Sequence, residues 1–148
     1  MPQSTTNEPI ATETSQPAAI APPLAQAAPT ELRGSFVDGE HPTRGMVQIV
    51  TQGGGRILEL DEAFATSTSG PDLFVILHRL PDVIGSTTPP AYPIQEGDYV
   101  VLAPLRSYTG AQTYEIPDNI NLDEFRSVAI WCRRFNATFG AATLEPQG

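Results

Sequence analysis

"LFVILHR", residues 73–79, decides how the rest of the chain is read. It is apolar without interruption from Leu73 to Leu77, so neither face alternates with polar residues. A run this short, bounded by "GPD" before it and Pro81 after it, has the signature of a central strand covered on both sides. Working upstream, "GMVQIVT" (45–51) and "RILELD" (56–61) are joined by "QGGG" (52–55). There glycine supplies the positive φ angles that a tight hairpin requires. "LRGSFVD" (32–38) precedes them, set off by the breakers Gly39 and Pro42. Downstream come "YVVLAPL" (99–105), "AQTYEIP" (111–117), "SVAIWC" (127–132) and "TFGAATL" (138–144). "LPDVIGSTTPPAYPIQEGD" (80–98) is dense in Pro, Gly, Ser and Thr and is expected to be a long surface loop. "NLDEF" (121–125) predicts one helical turn opened by an asparagine cap. No long amphipathic helix is present in the pattern. About eight or nine short strands define an all-β fold, a single β-sandwich or small barrel.

The first thirty residues contain prolines, alanines, serines and threonines but no aromatic, glycine, cysteine or basic residue. Such a stretch buries too little apolar surface to offset its ordering entropy. Residues 1–31 are therefore expected to be a disordered, semi-stiff linker, 32–144 the folded domain, and 145–148 a short tail. A domain of about 110 residues buries roughly two thirds of its unfolded surface, enough for an ordinary core.

The net charge is −9, and every basic residue is an arginine. An acidic chain without a basic stripe is not built for nucleic acid or for an anionic membrane surface. No run reaches the roughly 18 apolar residues of a membrane span. The Ala/Pro/Ser/Thr-rich spacer resembles the segment that trails a cleaved signal or lipid anchor. The expectation is an extracytoplasmic protein of the periplasm, lumen or cell surface whose export signal has been removed. One cysteine permits no internal disulfide.

That cysteine, Cys132, ends the strand "SVAIWC" beside the chain's one tryptophan, Trp131. Strand parity places Val128, Ile130 and Cys132 on one face and Ser127, Ala129, Trp131 and Arg133 on the other. Two readings compete. Free cysteine is among the most buried residue types and packs as a small hydrophobe. Against that, Cys132 stands at a strand end, and Arg133 and Arg134 come directly after it, cations of the kind that favour a thiolate.

Other chemistries fare less well. A blue-copper site needs two histidines with the cysteine, and nothing after Cys132 offers nitrogen or thioether. A structural zinc site takes four Cys or His ligands, more than Cys132, His41 and His78 supply. Thiolate-ligated haem needs one axial cysteine and an apolar pocket; without a CxxCH motif it would be non-covalent. His78 alternates with Phe74 and Ile76, a core position, and His41 lies in a turn. Asp118, Asn121, Asp123 and Glu124 cluster without calcium-loop spacing. Gly53–Gly55 leads into a strand, so it is not a phosphate loop, and no GxSxG elbow or triad can be assembled. "NAT" (136–138) is a glycosylation sequon by pattern alone.

Taken in order, "GSF", "GMVQIV", "LELDEAF", "GPDLFVIL", "YEIPDNINLDEF", "SVAIWC" and "FNATFGAATL" closely resemble the DM-thirteen domain family, over residues 32–144. The resemblance implies an all-β, extracytoplasmic module, often found with DOMON-type domains and described as an electron-transfer domain. It also implies that the signature cysteine, matched by Cys132, works as a bare thiol or as a ligand to a prosthetic group such as haem. Two classes of function are then open. In the first, Cys132 carries redox chemistry with an unidentified protein partner, Trp131 and His78 are the further candidate cofactor contacts, and Arg133 and Arg134 tune the charge. In the second, the domain is a non-catalytic binding or adhesion module on a flexible stalk, with Tyr92, Tyr99, Tyr108 and Trp131 as stacking residues.

Overall fold

The computed structural model describes residues 30–147. It is all-β, with strands β1 (Thr30–Asp38), β2 (Met46–Gln52), β3 (Gly55–Leu60), β4 (Leu73–His78), β5 (Tyr99–Pro104), β6 (Gln112–Ile116), β7 (Ser127–Cys132), β8 (Ala137–Thr143) and β9 (Glu145–Pro146). A helical turn α1 (Val83–Ser86) lies between β4 and β5, and a 3-10 turn (Leu122–Glu124) precedes β7. All pairings are antiparallel, in the order β5-β4-β7-β8-β1-β2-β3-β6, with β9 added beside β1. The sheet curls into a nearly closed barrel. Its end strands β5 and β6 share no ladder; the Tyr114 hydroxyl of β6 instead accepts from the backbone N–H of Arg106, just past β5, at 3.0 Å.

Strand β1 belongs to both halves of the curl. Its first part pairs with β2 and β9, and Phe36–Asp38 pairs with β8. Gly34 sits at the crossover, where an added Cβ would lie 2.1 Å from the Thr143 carbonyl oxygen. Only a residue without a side chain lets the strands approach there. The β2–β3 hairpin turns at Gly53 and Gly54, with φ of +60° and +85°, the conformation expected of the glycine run. Asn121 caps the 3-10 turn by accepting from the Asp123 N–H at 3.0 Å.

Both-face apolarity of β4 and β7 has a direct cause. Inside the barrel, Val47, Ile49, Leu58, Val75, Leu77, Val128, Ile130 and Cys132 form the main core. On the outer face, Ile76, Ala129, Trp131 and Ala141 form a second apolar layer with Val83 and Ile94. Those last two come from segment 80–98, which is thus more than the surface loop its composition suggests: it is a flap with buried anchors. Each fully buried aliphatic anchor contributes about 1.5–3 kcal/mol relative to exposure. The flap is fixed at its base, where Arg79 N–H donates to Asp98 O at 2.8 Å and Asp82 caps α1 by accepting from Gly85 N–H at 2.9 Å.

Among the described residues β1 already includes Thr30 and Glu31, and β9 follows Leu144. The expected linker otherwise lies outside the described residues. Among the described residues no helix is long and apolar enough to cross a membrane.

Candidate functional site

Cys132 closes β7 on the interior face, as strand parity predicts, paired with Leu73 of β4 and Ala137 of β8. It is free and has no solvent exposure (0%), so its place at a strand end does not bring the access that position suggested. The arginines after it face elsewhere. Arg133 Nε donates to Asp72 Oδ2 at 3.2 Å, and its guanidinium lies over the Phe74 ring at 4.5 Å from the centroid. Arg134 is exposed at the hairpin tip.

Trp131 occupies the opposite face of the same strand, 5% exposed beneath the flap. Its ring tilts against Tyr99 with centroids 4.9 Å apart. The indole Nε1–H donates to Asn136 Oδ1 at 2.9 Å. Asn136 also accepts from Ile94 N–H and donates to Ile94 O, both at 3.0 Å. Its φ of +48° is a left-handed conformation that asparagine tolerates better than most residues. One amide thus ties the β7–β8 turn, the tryptophan and the flap together. Sequence reading marks Asn136 only as a sequon; in the fold its amide nitrogen is engaged. Ile94 lies 42 residues away in the chain, so no local pattern signals the clamp.

His78 lies at the other end of the β4–β7 ladder, opposite Ser127. Five register steps separate it from the Leu73–Cys132 pair, about 16 Å at strand rise. It lies on the outer face, with Trp131 and away from the sulfur. Its Nδ1 accepts from Leu80 N–H at 3.0 Å, which puts the proton of the neutral ring on Nε2. Nε2 is buried without a partner among the described residues. Burial lowers the imidazole's pKa from its ordinary 6.5, and Asp98 opposes that shift more weakly. Cys132, Trp131 and His78 therefore do not surround one space. A haem plane does not fit against the sulfur, which belongs to the filled apolar core and lines none of the clefts at Met46, Phe74, Arg56 and Thr66.

The remaining candidates take structural positions. His41 packs against Phe139, the rings tilted at 52° with centroids 4.1 Å apart. Glu124 pairs with Arg79 at 2.9 Å, and Asn121 is used in its cap. Tyr108 is 39% exposed and donates to Gly70 O at 3.3 Å, whereas Tyr92 is half-buried. Tyr114, unmarked by sequence, is buried in the core; burial raises its pKa, and Arg106 opposes the rise.

Fold and site together define a small, nearly closed β-barrel with one enclosed thiol, an aromatic layer outside it and no catalytic triad among the described residues. The family model described as Electron transfer DM13 matches residues 35–144, and the chain belongs to that family. No curated protein and no solved structure matches the chain.

Proposed function

We propose that the domain is an extracytoplasmic redox module in which Cys132 is the working group, used as a thiol. The observation that supports this reading best is the family match, which covers residues 35–144 and includes the single cysteine. The exported location rests on the same kinship and on the composition of the N-terminal segment. Chemically, the Cys132 thiolate attacks a disulfide sulfur of the partner. A mixed disulfide forms, the partner's other sulfur leaves as thiolate, and the Cys132 proton passes to solvent. A second thiol from outside this chain must release the product, because there is no resolving cysteine here.

Burial then acts as a gate. The sulfur reacts only when the Leu73–Cys132 strand ends part, which keeps it from indiscriminate oxidants. Trp131 anchors the other face of the same strand and limits that opening.

The test is thiol labelling of the native and the urea-unfolded protein, followed by equilibration in glutathione buffers. Slow but complete labelling of the native state, and a reversible mixed disulfide absent from Cys132→Ser, are expected. Labelling that occurs only after global unfolding, with no mixed disulfide at any buffer ratio, would reduce Cys132 to packing.

A further inference from the structure

A cleft of about 360 Å³ opens between the loop before β4 and the loop after β5. Leu73 and Phe74 line it with Pro71 and Asp72 on one side, and Arg106 and Tyr108 on the other. Its two walls are tied together, since Leu105 N–H donates to Leu73 O at 2.9 Å and the Tyr108 hydroxyl to Gly70 O at 3.3 Å. The cleft is therefore preformed. Its floor residue Leu73 is the register partner of Cys132, so the sulfur's backbone lies one strand spacing, about 5 Å, behind it.

Charge at this end runs against the rest of the molecule. The chain carries −9 overall, yet Asp72 is the sole acid lining the cleft, and Arg133 already pairs with it at 3.2 Å. Arg106 lines the wall, and Arg134 at the adjoining β7–β8 turn forms no ion pair among the described residues. Beside it Phe135 is 62% exposed, the most exposed large apolar side chain among the described residues. The clamp at Asn136 holds this turn in one conformation, so the phenyl ring is displayed at little further entropic cost. An aromatic anchor beside unneutralised arginine is the composition of an interaction hot spot.

We infer that the cleft and the Arg134–Phe135 turn form the docking face for an acidic protein partner, which inserts an apolar side chain over Leu73 and sets its carboxylates against Arg106 and Arg134. The inference rests on the redox reading for its purpose but not for its test. The chain's net charge of −9 repels such a partner away from the arginines and so orients it, and encounter is steered toward the end that holds the thiol.

The experiment is an amide-shift titration of isotope-labelled protein with a capped acidic peptide, EDFDE, against the basic control KRFRK. Shifts grouped at Leu73, Arg106, Tyr108 and Phe135, fading in about 0.5 M salt, are expected for the acidic peptide alone. Arg134→Glu, at a residue without an internal partner among the described residues, weakens binding roughly tenfold, and Phe135→Ser weakens it independently. Shifts scattered over other faces, an equal response to KRFRK, or no change in Arg134→Glu would overturn the proposal. Cys132→Ser binds the peptide unchanged. Intact docking with an inert thiol defeats the redox reading alone, and a reactive thiol without docking defeats this proposal alone.

Discussion

The two ends of the β4–β7 ladder bury their odd residues on different terms. At one end Cys132 has no polar partner and needs none, because a thiol packs as a small hydrophobe. At the other end His78 is as deeply enclosed, and its Nδ1 is satisfied by Leu80 while Nε2 is left orphaned. Equal burial thus means an inexpensive site in one place and a strained one in the other. The polar atom marks the end that protons can disturb; the sulfur marks the end that only an opening of the strands can reach.

The outer layer that covers both ends offers the harshest way to break the contrast. Trp131→Ala removes the ring that packs on Tyr99 and one of the two donors to Asn136 Oδ1, and a loss of about 3–5 kcal/mol in urea unfolding is expected. With that strand freed on its outer side, native thiol labelling should also accelerate. Unchanged labelling in the destabilised variant would show that the two faces of β7 move independently.

The sulfur end is sharpened by paired substitutions. Cys132→Ser places a hydroxyl where no acceptor waits and is expected to lose about 1–3 kcal/mol. Cys132→Val keeps the site apolar and should lose less in the same unfolding experiment, unless overpacking against Leu73 and Ala137 dominates. Serine as stable as the wild type would mean that water already reaches the site.

At the histidine end the effect is smaller and depends on pH. The folded imidazole has its pKa held below 6.5, so the unfolded chain binds a proton more readily. Stability is full above pH 6.5 and is lost as pH falls from there toward the folded-state value. His78→Gln should remove this part of the pH profile while the carboxylate-driven loss at lower pH remains. A profile with the same slope between about pH 6.5 and 5.5 in both proteins would assign the effect to other groups.

Much of this arrangement is written in the local pattern. Apolarity on both faces of Leu73–Leu77 identifies a central strand, and alternation places Cys132 and Trp131 back to back. The glycine run marks the hairpin because the positive φ angles at Gly53 and Gly54 favour glycine. What escapes is long-range. Val83 and Ile94 read as isolated apolar residues in a Pro/Gly-rich loop, since what buries them is the outer face of distant strands. Asn136 looks like a turn residue, and its partners are Trp131 and Ile94. The pairing of Arg133 with Asp72, 61 residues away, is likewise invisible to spacing. Adjacency in sequence suggested that the arginines attend the sulfur. Strand alternation turns Arg133 to the far side instead.

Because β1 is stitched into both halves of the curl at Gly34, neither half can detach while the other keeps its edge. Melting of this molecule is therefore expected to be a concerted event, with calorimetric and van't Hoff enthalpies that agree. Heat would not release a half-barrel remnant; both halves would be lost in one step.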